Sequence, residues 1–257
     1  MIHFVGAGPG AKDLITVRGM QLLGEADCII YAGSLVNPEL LDYAKAGCEV
    51  LDSAGMTLEE VIDVMDSAER RGLTTVRLHT GDPSLYGAIQ EQIDILVSRG
   101  FDFEVVPGVS AFAGAAAVLG VEYTLPGISQ SLILTRTAGR TPVPEKESIP
   151  LFAAHQTSMA LFLSAGMLEK LSAELIEGGY RPDTPAAIVY KATWPDQKIV
   201  ITTVSALAED AAANMIGSTA MVLVGDFLDA EYERSKLYDP TFSHGFRQGC
   251  EQEGSNS

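Results

Sequence analysis

Short apolar runs, rich in β-branched residues, alternate with amphipathic segments along the first half of this chain. The amphipathic segments carry helix-start signals, of which the capping box Thr57-Leu58-Glu59-Glu60 is the clearest. Strands that alternate with helices form βαβ units, whose mostly parallel sheet is covered on both faces. Strands are predicted at residues 2–5, 28–31, 49–51, 74–78 and 103–106, and further helices at Pro38, with Asn37 as cap, and near Ala88.

The stretch 121–130, which contains Pro126 and Gly127, interrupts this alternation, and a second alternating series follows it. We therefore predict two α/β domains with mostly parallel or mixed sheets, over residues 1–120 and 131–230, joined by a linker at 121–130 and followed by a polar tail at 231–257. The proline-containing loop 136–150 is expected to be a mobile flap. Strands are predicted at 132–135, 160–163, 187–190, 199–203 and 220–224, and helices near 168–177 and 204–214.

Charge, cysteine content and hydropathy restrict the possible partners. The formal net charge of −17 opposes binding to nucleic-acid phosphates, and the three cysteines and four histidines are scattered rather than clustered as metal ligands. No apolar stretch has the length of a membrane span, and no secretory signal precedes the first strand. We therefore expect a cytoplasmic protein with no nucleic-acid or membrane partner and no metal site of its own.

Glycine-containing loops follow three of the predicted strands. They are His79-Thr80-Gly81-Asp82-Pro83-Ser84-Leu85-Tyr86-Gly87, Gly6-Ala7-Gly8-Pro9-Gly10-Ala11 and Val106-Pro107-Gly108-Val109-Ser110-Ala111. Because ligands of open α/β sheets bind beyond the carboxyl ends of the strands, these loops predict a crevice for a small, nucleotide-like cofactor. The alternative is structural: the loops are tight turns, in which Asp82 and Ser110 cap the helices that follow.

The first of these loops also satisfies the dinucleotide fingerprint G-x-G-x-x-G/A directly after a strand. A nicotinamide site, however, requires an acidic residue about 20 positions further on to bind the ribose, and the second strand ends in Tyr31-Ala32-Gly33. Pro9 also removes one backbone N–H that a pyrophosphate would use. The fingerprint alone therefore does not establish a dinucleotide site.

Two further strand exits in the second half carry candidate binding residues. Arg136 and Arg140 follow the strand at 132–135, where they are either solvated bystanders or partners for carboxylates, which the guanidinium fork fits well. The exit 190–197 contains Lys191 and the only tryptophan, Trp194, which either covers the core or contributes to a site.

Together, these motifs resemble those of the tetrapyrrole (corrin/porphyrin) methyltransferases, and the resemblance covers essentially residues 2–246. The early glycine loops and the Gly81-Asp82-Pro83 loop are shared across the superfamily, and the later motifs indicate a member that methylates C-11 of precorrin-4 or cobalt-precorrin-4 in cobalamin biosynthesis. One departure is Ala11, where relatives commonly carry an acidic residue. The matching segments are residues 5–10, 13–17, 31–36, 79–87, 106–109, 134–137, 189–196 and 234–239.

The resemblance implies that S-adenosylmethionine binds in a cleft between the two domains, within a homodimer, and leaves as S-adenosylhomocysteine after an in-line methyl transfer. No catalytic base is assigned, because an electron-rich ring carbon attacks the methyl group directly. The implied cofactor contacts are Pro9, Thr80, Gly81, Asp82, Leu85, Ser110, Ala111, Leu163 (or Ser164) and Ala192. The hypothetical partners of the anionic tetrapyrrole are Arg18, Ser34, Tyr86, Arg136, Arg140 and Lys191.

Three alternatives stay open at this point. The chain could methylate another precorrin carbon, it could be a nicotinamide-dependent oxidoreductase, or it could bind a tetrapyrrole without catalysis. Sequence also leaves open whether the ring already carries cobalt, because that metal would belong to the substrate.

Overall fold

A computed structural model describes residues 1–250, apart from the side chain of Ser34. Five strands and four helices alternate in its first part. The five strands form one sheet in which every adjacent pair is parallel. The elements are β1 (Ile2–Gly6), α1 (Val17–Glu25), β2 (Cys28–Tyr31), β3 (Glu49–Asp52), α2 (Leu58–Arg70), β4 (Thr75–His79), α3 (Gln90–Ser98), β5 (Phe103–Val106) and α4 (Ala111–Leu119), and the strand order is β3-β2-β4-β1-β5.

A second sheet of five strands is mixed. Its elements are β6 (Leu132–Arg136), α5 (Ile149–Ala153), β7 (Ser158–Phe162), α6 (Leu168–Glu177), β8 (Pro185–Tyr190), β9 (Lys198–Thr203), α7 (Leu207–Ala213) and β10 (Ala220–Val224). The strand order is β6-β7-β10-β8-β9, with β6 parallel to β7 and β10 antiparallel to β7. The predicted fold class, α/β with parallel and mixed sheets, is confirmed.

Contacts between Cα atoms divide the chain into two compact units. The first unit comprises Met1–Gly120, Ile188–Val200 and Asn214–Met221. The second comprises Val121–Ala187, Ile201–Ala213 and the residues from Val222 on. The predicted domain bounds and linker stay a prediction.

Most elements occur within one or two residues of their predicted positions. The capping box at Thr57 is confirmed, since its hydroxyl accepts from the backbone N–H of Glu60 and the Glu60 carboxylate accepts from the backbone N–H of Thr57. Three predicted elements occur with somewhat different bounds or helix type. The helix expected near Ala88 begins at Gln90, the strand expected at 160–163 is Ser158–Phe162, and the helix expected at 204–214 begins with a 3-10 turn at Val204–Ala206.

The helix predicted at Pro38 is a 3-10 helix, Pro38–Tyr43, rather than an α-helix. Asn37 does cap it, because its side chain accepts from the backbone N–H of Glu39. The Asn37 amide also donates to the carbonyl of Gly10 at 2.9 Å, so the start of this short connector is held against the first glycine loop. Turns with i→i+3 hydrogen bonds are frequent as connectors between elements, although a run of six residues is longer than most.

The loop 136–150 contains more regular structure than predicted. A 3-10 turn forms at Glu145–Glu147, and α5 begins at Ile149 with Pro150 in its first turn. Proline is tolerated there, because the first N–H groups of a helix have no intrahelical partner. The sequence interpretation counted Pro150 as a loop residue, although it is a helix-start residue.

The parallel sheet is covered on both faces by apolar side chains. One face, with Val5, Val76 and Leu78, packs with Leu23 of α1. The other, with Ile2, Phe4 and Ile30, packs with α2 and α3 through Val61, Ile62, Met65 and Leu96. Both layers are needed because strands of a parallel sheet are buried on both sides.

No helix within residues 1–250 combines the length and the apolar character that crossing a membrane requires. The same residues contain no group of three or more His, Cys, Asp or Glu side chains arranged to hold a metal ion.

Leu78 provides a test of this packing, because its side chain is fully buried in the central strand β4. Replacing Leu78 by Ala should lower the free energy of unfolding by about 2–5 kcal/mol, since it removes apolar contacts and leaves a cavity. Urea denaturation followed by circular dichroism measures this change. The control Val97→Ala alters a side chain that is 60% exposed on α3 and should change the free energy by about 0.5 kcal/mol or less. Equal effects of the two substitutions would contradict the assigned packing.

Candidate functional site

The loops that leave β1 and β4 are joined backbone to backbone. The N–H of Ala7 donates to the carbonyl of His79 at 2.7 Å, and Gly8 and Gly81 exchange a pair of hydrogen bonds at 3.2 and 2.9 Å. Both glycines have positive φ, +80° for Gly8 and +60° for Gly81, a conformation that other residues adopt with strain. The two loops therefore form one connected backbone surface at the carboxyl end of the sheet.

A third glycine, from the loop after β5, completes this surface. A Cβ atom on Gly108 would lie 2.1 Å from the carbonyl oxygen of Gly81, and one on Gly6 would lie 2.5 Å from the Cα of Gly108. No side chain fits at either position without displacing the backbone. Close packing of three strand exits thus explains the glycines at 6 and 108.

Asp82 fastens the loop after β4 to the loop after β5. Its carboxylate accepts hydrogen bonds from the backbone N–H of Gly108 at 2.8 Å and of Ser84 at 2.9 Å, and from the Ser84 hydroxyl. Partial burial acts to raise the pKa of the Asp82 carboxyl, but these hydrogen bonds outweigh it and leave the pKa below its usual value. Asp82 is therefore an ionised residue that links two loops.

The structural alternative for Asp82, a cap on the following helix, was wrong. The helix α3 begins at Gln90, and its N-cap position is Ile89. The bond from the Ser84 N–H instead makes Asp82 the first residue of a local turn. Ser110 does occupy the N-cap position of α4, but its side chain makes no capping hydrogen bond.

The loop after β8 covers the first glycine loop. The indole N–H of Trp194 donates to the carbonyl of Pro9 at 3.2 Å, and the Thr193 hydroxyl accepts from the N–H of Ala11 at 2.9 Å. A Cβ on Gly10 would lie 2.0 Å from the Trp194 ring. Trp194 therefore packs, half-buried, on the first glycine loop.

Eight of the nine predicted cofactor residues lie in the first unit and surround these joined loops. Ser110 and Ala111 lie beside Gly81, since a Cβ on Gly81 would be 3.5 Å from both. The carbonyl of Ala192 lies beside Gly10, and Leu85 donates its backbone N–H to the carbonyl of Asp82. The eight are Pro9, Thr80, Gly81, Asp82, Leu85, Ser110, Ala111 and Ala192.

The ninth residue, Leu163, belongs to the second unit. It follows β7 with a φ of +53°, and it is 66% exposed. The neighbouring Ser164 is buried, and its hydroxyl accepts from the N–H of Thr137 at 2.9 Å and donates to the carbonyl of Phe162. The exposed side chain of Leu163 could contact a ligand, whereas the Ser164 hydroxyl is hydrogen-bonded within its own unit. Their role as cofactor contacts stays a prediction.

The two charged candidate substrate residues of the first unit, Arg18 and Lys191, are paired within it. Arg18 donates to Glu104 at 2.9 Å, and Lys191 donates to Asp196 at 2.7 Å and lies over the Trp194 ring. Tyr86 is 46% exposed and has a φ of +58°. Ser34 lies in the 3-10 turn Gly33–Leu35, and its side chain lies outside the described part of the structure.

In the second unit, the two candidate arginines differ. The Arg136 guanidinium donates to the carbonyls of Thr141 at 3.2 Å and Pro142 at 2.7 Å, so it folds back on its own loop. Arg140 is exposed, and no partner for its side chain occurs among residues 1–250. Arg136 is the last residue of β6 and Arg140 lies in the loop that follows, and a role of either in binding carboxylates stays a prediction.

The sequence interpretation gave Arg77 no role, and it named His79 only as the first residue of the loop after the strand. Both are buried in β4, at 7% and 5% exposure, and both line a cavity of about 280 Å³ beside Thr80, Leu85 and Tyr86. The sequence does contain a signal for these two residues, namely the alternation of polar and apolar residues along the strand. Thr75, Arg77 and His79 put a polar side chain at every second position of a buried central strand.

The chain is similar to known proteins in both sequence and fold. The family described as Tetrapyrrole (Corrin/Porphyrin) Methylases matches residues 1–208. The cobalt-precorrin-4 C(11)-methyltransferase of Methanocaldococcus jannaschii is 54% identical over 248 residues, which are 96% of each chain. A crystal structure described as cobalt precorrin-4 methyltransferase, a cobalamin biosynthetic enzyme, superimposes with a TM-score of 0.87 at 49% identity and covers 89% of this chain and 96% of that one.

A more distant structure was solved with a ligand. The uroporphyrin-III C-methyltransferase of Thermus thermophilus, complexed with S-adenosylhomocysteine, has a TM-score of 0.73 at 25% identity and covers 88% of this chain and 98% of that one. The family match covers residues 1–208, and the 54% identical relative covers 96% of the chain. This chain belongs to the tetrapyrrole (corrin/porphyrin) methylases.

Proposed function

We propose that this protein is an S-adenosylmethionine-dependent methyltransferase that acts at C-11 of precorrin-4 or cobalt-precorrin-4 in cobalamin biosynthesis. The observation that carries the proposal is the 54% identity, over 96% of both chains, to a relative named for this reaction. The solved structure at 49% identity bears a name of the same kind. Both names include cobalt, which favours the cobalt-containing substrate over the metal-free ring.

The residues at the joined loops fit S-adenosylmethionine, which has apolar, polar and charged parts. Leu85, Ala111 and Ala192 offer apolar surface, and the backbone of Thr80 and Gly81 offers polar atoms next to the ionised Asp82. The Ser110 side chain is buried beside Gly81 and makes no helix-capping hydrogen bond. The solved relative with S-adenosylhomocysteine supports the same choice of cofactor.

In this proposal the residues of the chain orient the cofactor and the substrate, and they supply no reacting group. When bound, the sulfonium supplies an electrophilic methyl group, which the electron-rich carbon of the macrocycle takes by in-line displacement. The contacts among Gly6, Gly81 and Gly108, fastened by Asp82, hold the loops in one arrangement. Orientation of this kind can lower a barrier by several kcal/mol, up to about 10. We assign no residue as a base.

A nicotinamide-dependent oxidoreductase is the second candidate, and the first glycine loop disfavours it. Pro9 and Gly10 are buried, and the Trp194 indole lies on them within the same unit. A pyrophosphate would need to approach the backbone at this point. With the ribose-binding acid also missing, this loop is better suited to hold the neighbouring loops than to bind a dinucleotide.

We also propose that the protein is a homodimer and that it is located in the cytoplasm. Both proposals rest on the resemblance to the family. The mass of the purified protein in solution, measured by light scattering, tests the dimer. A monomeric mass under conditions where methyl transfer proceeds would overturn it.

The proposed function is tested by binding and by transfer. Calorimetry should detect S-adenosylhomocysteine binding and no NADH or NADPH binding. The purified protein should transfer a labelled methyl group from S-adenosylmethionine to cobalt-precorrin-4, and mass spectrometry with fragmentation should place the methyl at C-11. The metal-free precorrin-4 is the parallel substrate. Binding of the macrocycle without methyl transfer would indicate a carrier protein, and transfer to another carbon would overturn the assignment of C-11 as the methylated position.

Asp82→Ala should weaken S-adenosylhomocysteine binding by about 10-fold to 100-fold, because the loops after β4 and β5 lose charge-assisted hydrogen bonds that hold them together. Calorimetry measures the dissociation constant, and circular dichroism verifies that the variant folds. The control Asp63→Ala removes a carboxylate that is 75% exposed on α2 and should leave the dissociation constant unchanged. An unchanged constant in Asp82→Ala would remove Asp82 from the cofactor site.

Arg136→Ala should raise the apparent KM for the tetrapyrrole about tenfold and change the affinity for S-adenosylhomocysteine by much less, because the guanidinium is proposed to bind a substrate carboxylate. Steady-state kinetics and calorimetry measure the two quantities separately. Arg181→Ala is the matched control, since Arg181 is an exposed arginine of the same unit that pairs with Asp183 and Asp226. If Arg136 only holds its own loop, the two quantities should change together.

A further inference from the structure

The strand β4 carries three buried polar side chains on one face. Thr75, Arg77 and His79 alternate with Val76 and Leu78, and alternate residues of a strand point to the same side of a sheet. Arg77 pairs in register with Phe4 of β1 and Ile30 of β2. A guanidinium therefore lies in the same layer as the apolar side chains that pack against α2 and α3.

Arg77 is buried without a carboxylate partner. Its Nε donates to Gln92 at 3.4 Å and its Nη1 donates to the carbonyl of Ile30 at 3.2 Å, and both bonds are long. Within residues 1–250, no carboxylate forms an ion pair with it at 4.0 Å or less. Burial lowers the pKa of Arg77 to about 10, so the side chain still carries its charge at neutral pH. An uncompensated buried charge is costly, which favours a partner that the chain itself does not supply.

His79 has an unused atom beside this charge. Its Nε2 is fully buried and has no hydrogen-bond partner within the described part of the chain. Burial, with the charge of Arg77 in addition, lowers the pKa of His79 to about 3, so the ring is neutral. In the tautomer with the proton on Nε2, this atom is a hydrogen-bond donor.

Arg77 and His79 both line the cavity of about 280 Å³, which we call the Arg77–His79 pocket. This volume is far larger than a single buried water requires. Ser53, Thr57 and Gln92 add polar lining, and the exposed Tyr86 and Ala88 place part of the lining at the surface. Glu91 is the only acidic residue in the lining, and it is exposed.

The pocket adjoins the candidate cofactor loop. Thr80 and Leu85 line the pocket and also belong to the loop after β4 that is proposed to bind S-adenosylmethionine. A ligand that reaches the pocket from solvent would therefore lie next to the methyl donor.

We propose that the Arg77–His79 pocket binds one carboxylate of the tetrapyrrole substrate, with the Arg77 guanidinium as the charged partner and His79 Nε2–H as a second donor. This inference rests on the proposed function, which supplies a macrocycle with many carboxylates. A carboxylate is the anion that a guanidinium binds with two hydrogen bonds, and it would satisfy both buried groups at once. The role assigned to Arg77 and His79 is substrate positioning, not reaction with the methyl group.

A purely structural role for Arg77 makes a different prediction. A buried charge that only fills the core can be replaced by an apolar side chain of similar size with little loss, or even a gain, of stability. Arg77→Met is therefore the informative variant. If the charge serves the core alone, this variant should keep the substrate KM of the parent protein.

The test compares Arg77→Met with Arg71→Met, which removes the same charge from the exposed Arg71 at the end of α2. Arg77→Met should raise the KM for cobalt-precorrin-4 by at least about tenfold, while the dissociation constant of S-adenosylhomocysteine stays within about twofold. Arg71→Met should change neither. Arg77→Lys, which keeps the charge but loses the fork, should give an intermediate KM, and it replaces Arg77→Met if that variant does not fold.

A second readout does not depend on turnover. With histidine labelled by nitrogen-15, binding of uroporphyrin III, a stable tetrapyrrole with eight carboxylates, should shift the His79 Nε2 resonance in the parent protein and not in Arg77→Met. The three remaining histidines serve as internal controls.

An unchanged KM in Arg77→Met, or a His79 resonance that uroporphyrin III does not move, would overturn the pocket assignment. Failure of the proposed function is distinguishable, because the parent protein would then transfer no methyl group to cobalt-precorrin-4 at all. Transfer by the parent together with an unaffected Arg77→Met would leave the function intact and reject only the pocket.

Discussion

The close approach of three strand exits is the constraint on which the rest of the site depends. Gly6, Gly81 and Gly108 lie so near one another that a Cβ added to Gly6 or to Gly108 would collide with a neighbouring backbone. Parallel strands bring their carboxyl ends to the same edge of a sheet, but they do not by themselves join the loops beyond that edge. Here the joining is done by the hydrogen bonds between Gly8 and Gly81 and by the Asp82 carboxylate.

Local signals in the sequence were sufficient for the first sheet. The capping box at Thr57 and the β-branched runs depend on neighbours in sequence, so they predicted elements within one or two residues. Pro150 and Asn37 were harder, because the same residue types occur in loops, α-helices and 3-10 helices. Glycine at strand exits indicated the ligand loops, and the structure adds that the glycines at 6 and 108 are required by packing.

The environment of a buried charge could not be predicted in the same way. Whether Arg77 is exposed or buried depends on α2 and α3 covering that face of the sheet, and these contacts join residues far apart in the chain. The same holds for Trp194, whose partner Pro9 lies 185 positions away. The net charge of −17 likewise does not predict the electrostatics of a site. A desolvated cation interacts more strongly with the atoms next to it than charges on the distant surface do.

The packing of Trp194 on the first glycine loop also has a practical consequence. It is the single indole of the chain, and its ring is in contact with Gly10 and lies under the ammonium of Lys191. Indole emission in this protein therefore originates from one place only, beside the loops that carry the proposed cofactor residues. The molecule contains its own optical reporter, so rearrangement of that region can be followed in stopped-flow experiments without introducing a dye.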